Sequence, residues 1–167
     1  RLRRACERAG RRSGTVTLVA VTKFIAPELI QEAARAGLVH FAESRAQEAQ
    51  VKLPLLKGLG TWHFIGHLQT NKARPVAQLF DIVQSVDSLK LGAMLSEAAG
   101  EFGKTLRFFA QVNVSAEAQK HGFSLDLAEA EIVQASRLPQ LRLEGLMGMA
   151  ADADDPEAAS PAFRTLR

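Results

Sequence analysis

Two hydrophobic patterns alternate along the chain. Val16 to Val21 (VTLVAV) is a β-branched apolar run, the pattern of a strand buried on both faces. Pro27 follows where a helix tolerates proline in its first turn, and Leu29, Ile30, Ala33 and Ala34 then recur at helical spacing up to Gly37. The same pair of patterns returns five times. The spacing predicts strands at Val39–Glu43, Trp62–Leu68, Asp81–Val86, Leu106–Val114 and Leu141–Met149. It predicts helices at Arg45–Leu56, broken near Pro54, at Asn71–Phe80 with Asn71 as N-cap, and at Ser88–Phe102 between a Ser88 cap and Gly103. Two more follow, at Ser124–Arg137 and around Phe163 and Leu166. In the fifth strand Leu106, Phe108, Ala110, Val112 and Val114 share one side, and Arg107, Gln111 and Asn113 fall mostly on the other.

Six β/α units in series imply an α/β fold with a parallel sheet. An open doubly wound sheet and a (β/α)8 barrel compete. No Gly-x-Gly-x-x-Gly follows the first strand, so a dinucleotide-binding open sheet has no support. A complete barrel takes about 250 residues. Six units in 167 residues match a TIM-type barrel whose last two β/α units are absent from this chain, one domain over residues 1–167.

Composition and charge change this picture little. At 47% hydrophobic and 23% charged the chain can build a core and stay soluble. No apolar run approaches a membrane span, and no apolar segment follows the basic N-terminus as in a signal peptide. The single Cys6 cannot form an internal disulfide, which fits a reducing cytoplasm. The net charge of +3 is uneven: residues 1–12 hold six Arg and one Glu. Leu2, Ala5, Cys6 and Ala9 are helically spaced there, so the arginines read as the solvated face of a first helix. No basic stripe continues elsewhere to track phosphates, so nucleic acid is not an expected partner.

Candidate chemistry gathers where strands end. Lys23 closes the first strand in LVAVTK. Burial lowers a lysine's pKa and makes its amine nucleophilic toward carbonyls; emergence into solvent at the strand end is the equally simple alternative. His63 and His67 form H-x-x-x-H, but four residues along a strand span roughly 13 Å, too far for one metal ion to be shared. No metal is expected. Gly66 reads instead as a position of close backbone approach. Ser44, Ser85, Asn113 and Met147 stand near the ends of strands two, four, five and six and would ring the same mouth as Lys23. Lys120 and His121 fall in the loop after strand five, read as an exposed turn ending at Gly122.

The blocks LVAVTK, FAESRAQEA, WHFIGHLQTNK, SVDSLKL, QVNVSAEAQKHGF and LRLEGLMGM, in this order and spacing, resemble the YggS/PROSC family of pyridoxal phosphate homeostasis proteins. The resemblance implies a fold-type III barrel like the N-terminal domain of alanine racemase. It implies pyridoxal 5′-phosphate (PLP) held as a Schiff base on Lys23; Ser44, Ser85, Asn113 and Met147, by their strand-end positions, and His67 are the further candidate cofactor contacts. It implies a non-catalytic carrier in vitamin B6 homeostasis that stores or delivers PLP; a cytoplasmic monomer with apo PLP enzymes as recipients is the expectation. The alternative is a PLP-dependent racemase or decarboxylase. Racemases on this barrel use a tyrosine opposite the lysine, and these residues include no Tyr. A Schiff-base aldolase would need an acid/base partner beside Lys23, for which Glu43 is the candidate. Two departures stand out. Ser44 and Arg45 replace the asparagine and tyrosine of the family's FGEN-Y block. The family's later Ser-Met-Gly-Met-Ser and Gly-Ser-Thr…Arg-Ile-Gly blocks, which cradle the phosphate, do not occur, so the chain reads as part of a longer barrel.

Overall fold

The computed structural model describes residues 1–114, 121–150 and 155–166. Six parallel strands form one sheet in strictly sequential order: β1 (Ala20–Val21), β2 (His40–Glu43), β3 (Thr61–Phe64), β4 (Ile82–Val86), β5 (Leu106–Gln111) and β6 (Leu141–Met147). A doubly wound sheet reverses strand order at a switch point. Sequential order without reversal is that of a (β/α) barrel, and the described strands supply six staves of it.

The connecting helices are α2 (Pro27–Arg35), α3 (Ala46–Lys52), α4 (Ala73–Leu79), α5 (Leu89–Glu101) and α6 (Ala128–Ser136), flanked by α1 (Leu2–Arg8) and α7 (Ser160–Thr165). The core lies between strands and helices. Phe41, Trp62, Phe64, Val83, Leu106 and Phe108 meet Ala49, Val76, Phe80, Leu91, Leu95 and Ala99 there. Burial in β5 alternates from Leu106 through Ala110, as its pattern predicts. The α5 boundaries also follow the sequence: Ser88 Oγ accepts the Leu91 N–H at 3.3 Å, and Gly103 takes φ 63° beyond the end.

Several elements depart from expectation. The first strand shrinks to two residues, which pair with Phe41 and Ala42, and it lies at the edge of the described strands. Leu18 and Val21 are therefore exposed instead of buried on both faces. Leu29 is exposed too, leaving Ile30 as the buried anchor of α2. Asn71 does not cap a helix. It lies inside a 3₁₀ turn, Thr70–Lys72, that leads into α4. The helix expected from Ser124 starts at Ala128, and α1 buries Cys6 alone of its apolar face. The segment Arg45–Leu56 does break before Pro54, into α3 and the 3₁₀ turn Leu53–Leu56. Register shifts between Val83 and Val86 and between Phe108 and Phe109 re-phase the pairing of β4 with β5 and of β5 with β6.

Candidate functional site

The C-terminal ends of the strands carry the site, as barrels place it. Pairing of Val21 with Ala42 brings the end of β1 beside the end of β2. Thr22 then turns to the helix-facing side, where its hydroxyl donates to Glu43 Oε1 at 2.7 Å while its N–H donates to the Ala42 carbonyl at 2.8 Å. Lys23 is the next residue, in the turn that follows, and it is exposed. Its amine meets solvent, so of the two readings of a strand-end lysine the structure takes the second, emergence. Phe24 follows at φ 63°, the one non-glycine residue with positive φ among those described. Its ring lies 4.8 Å below the Arg45 guanidinium.

Under this turn sits a buried charge cluster. Lys52 Nζ donates to the Thr22 carbonyl at 2.8 Å, to Glu43 Oε1 at 2.8 Å and to Glu48 Oε1 at 2.7 Å. Glu48 Oε1 also accepts the Phe24 N–H at 2.8 Å. Burial works to lower the Lys52 pKa, but the hydrogen bonds to Glu43 and Glu48 outweigh it and hold the ammonium above its ordinary value. The Lys52 hydrogen bond, then the Phe24 N–H, hold the Glu48 carboxyl below the usual carboxylate range. Glu43 is thus an ion-pair partner of Lys52 through its Oε1.

A cleft of about 180 Å³ opens at the ends of β3, β5 and β6, lined by Ile65, His67, Gln111, Val112, Asn113, His121, Met147 and Met149. Three predicted contacts, His67, Asn113 and Met147, meet here. The His67 and His121 rings stack at 3.6 Å between centroids, and their Nδ1 atoms lie 3.5 and 4.0 Å from Asp87 Oδ2. The three side chains hold their ligand atoms within 4.8 Å of one another. His63 takes no part: it is buried in the sheet against His40 Nδ1 (3.1 Å) and Gln84 Nε2 (2.8 Å), and burial first, then His40 and Arg107, push its pKa down to about 4. The H-x-x-x-H pair is therefore split, though not along one strand as expected: β3 ends at Phe64, short of Leu68, so His63 stays in the sheet and His67 lies in the segment beyond it.

His121 is held in place by Gln111, whose Nε2 donates to its carbonyl at 3.0 Å. Gly122, at φ 138°, lets the chain pass so close that a Cβ would stand 2.5 Å from the Asn113 nitrogen. Gly66 is tighter: a Cβ there would stand 2.0 Å from the Ser44 carbonyl oxygen. Ser85 is buried, and its hydroxyl donates to the Gly66 carbonyl at 2.6 Å. Ser85 thus supports the turn beneath the cleft and does not face it. Ser44 lines a neighbouring hollow with Arg45, His67 and Lys72. Lys23 lines neither space, and what it shares with them is the end of the sheet. Lys120 lies outside the described residues.

The family model for the N-terminal domain of alanine racemase matches residues 1–167. A pyridoxal phosphate homeostasis protein of Pseudomonas aeruginosa is 42% identical over the whole of this chain and 73% of its own length. This chain belongs to the pyridoxal phosphate homeostasis protein family. Among solved structures, PipY of Synechococcus elongatus without PLP is 36% identical, with a TM-score of 0.86 over 98% of this chain and 77% of that one. PipY with PLP bound is 33% identical, with a TM-score of 0.76 over 98% of this chain and 82% of that one.

Within this homeostasis-family barrel, sequence reasoning missed Lys52, Glu48, Asp87 and Gln111. Only one signal was available: Glu48 and Lys52 stand at i and i+4, the favourable order for a helical ion pair. Asp87 and Gln111 reach the histidines from the ends of β4 and β5, which no local spacing connects.

Proposed function

We propose that residues 1–167 form a single PLP-binding domain that acts in vitamin B6 homeostasis, with Lys23 as the covalent anchor. The observation that carries this reading is PLP bound in PipY, whose fold this chain shares over 98% of its residues. The residues fit such a group. An accessible amine and a cleft of imidazole, amide and thioether side chains lie at one end of the sheet. When bound, PLP supplies an aldehyde that condenses reversibly with a primary amine and a ring that withdraws electrons. Lys23 offers that amine. Asn113 and Met147 border the ring-sized cleft, and His67 stands between it and the hollow of Ser44.

A carrier fits these residues better than a catalyst. Glu43, the acid/base candidate, is engaged on the helix side by Thr22 and Lys52, and these residues include no Tyr. No helix among the described residues is long and apolar enough to cross a membrane. We place the protein in the cytoplasm as a monomer that passes PLP to apo enzymes. The test is a visible-range absorbance on adding PLP, fixed by borohydride onto the peptide that holds Lys23 and absent in Lys23→Ala. A label on another peptide, or one that survives in Lys23→Ala, overturns the reading. Substantial turnover of added amino acids replaces the carrier with an enzyme.

A further inference from the structure

The charge cluster under the β1–α2 turn holds both peptide neighbours of Lys23. Lys52 uses all three of its N–H donors here: on the Thr22 carbonyl, which precedes Lys23, and on Glu43 and Glu48. Glu48 takes the Phe24 N–H, the amide that follows Lys23. One ammonium thus grips the turn on one side directly and on the other through a carboxylate. Beyond the turn's own Ile25 N–H bond to the Thr22 carbonyl (3.0 Å) and the Arg45 guanidinium over the Phe24 ring, little packing holds this turn: Phe24 is 70% exposed, and its positive φ is a conformation that persists only where surroundings impose it. Burying an ammonium is costly, and an apolar residue at position 52 would continue the Ala46, Ala49 and Leu53 face of the same segment without that cost. What the ammonium adds over an apolar side chain is its hold on residues 22 and 24.

We propose that Lys52, acting with Glu48, is the positioning residue of the Lys23 amine: it locks the turn in the one backbone arrangement that presents Nζ to an aldehyde ligand. The inference rests on the PLP-anchor reading above, yet its test has an arm that needs no PLP. Hydrogen exchange at the Phe24 amide, borohydride-fixed label at Lys23 across a PLP titration, and exchange of the β4 and β5 amides are measured in the wild type, Lys52→Met, Lys52→Arg and Glu48→Ala. Lys52→Met and Glu48→Ala are expected to exchange Phe24 at least tenfold faster and to need at least tenfold more PLP for half-maximal labelling. The β4 and β5 amides keep their protection, and Lys52→Arg recovers part of both effects. Wild-type exchange at Phe24 in both disrupting variants overturns the proposal. So does a labelling defect that appears only with general loss of strand protection. Should Lys52→Met fail to fold, Glu48→Ala decides, since Glu48 is at the partly exposed end of the cluster. An unlabelled wild type would sink the anchor reading while the Phe24 exchange still decides the clamp.

Discussion

At the scale of single residues, the site depends on groups whose partners are fixed by a few ångströms. Glu48 is one. Its folded pKa is depressed below 4.5, so its bonds to Lys52 and Phe24 contribute stability above that value and lose it as pH falls through the lowered pKa. Exchange at the Phe24 amide, corrected for intrinsic rates, is therefore expected to be independent of pH above about 4.5 and to speed up below it. An unchanged protection factor in that acid range would argue against the carboxylate as its acceptor. Gly66 is another. Its role is room: an added Cβ would sit 2.0 Å from the Ser44 carbonyl oxygen, and the obstacle is backbone that cannot swing aside. Gly66→Ala is expected to lower the urea unfolding free energy by about 1–3 kcal/mol, the usual range for overpacking. It would also displace the carbonyl that Ser85 holds. The need for close approach at Gly66 was legible, because a glycine that interrupts an apolar strand pattern marks a bulge or a place where another backbone comes near. The identity of what approaches was not, since Ser44 lies 22 positions away on another strand end.

At the scale of elements, legibility followed how much of each element's environment is local. Helix α5 was readable because its cap, its apolar stripe and its closing glycine are all within one segment. The first strand was not, because its length depends on its pairing with β2. The sheet's concave side holds a further case. His40 on β2, His63 on β3 and Gln84 on β4 form a hydrogen-bonded row across three strands, with Arg107 and Asp81 acting on His63 as charges. No single strand announces it. His63 has a folded pKa of about 4 against 6.5 when free, so the fold requires the neutral ring. Its contribution is complete above pH 6.5 and falls away as pH drops toward 4, by roughly 3 kcal/mol over that interval. Urea midpoints measured from pH 8 to about 4 should show this loss, and His63→Gln, which keeps a bonding partner for Gln84, should flatten it. An unflattened profile would assign the acid sensitivity to His40 or to the carboxylates.

At the scale of the whole molecule, the order of units was the most legible feature, because alternating strand and helix patterns with no reversal signal allow few topologies. The candidate site was far less so: Lys23, the cleft and the charge cluster come from five strand ends and α3, and only the fold collects them. The basic N-terminus shows the converse, a feature conspicuous in sequence and slight in structure. Residues 1–12 carry six Arg and one Glu, yet α1 buries only Cys6 and lies outside the core. The arginines are solvated charge, and the one i,i+4 pair among them, Arg3 with Glu7, is exposed at 3.7 Å. Removing residues 1–12 should accordingly change charge and little else. The net charge passes from +3 to −2, which reverses electrophoretic migration near neutral pH. The unfolding free energy should fall by only about 1 kcal/mol, the scale of one small buried side chain. Amide protection in β2 through β5 and PLP labelling at Lys23 should persist. Loss of strand protection on truncation would mean that α1 braces the barrel. Salt-sensitive binding of duplex DNA by the intact chain, lost on truncation, would mean that the arginines serve a partner after all.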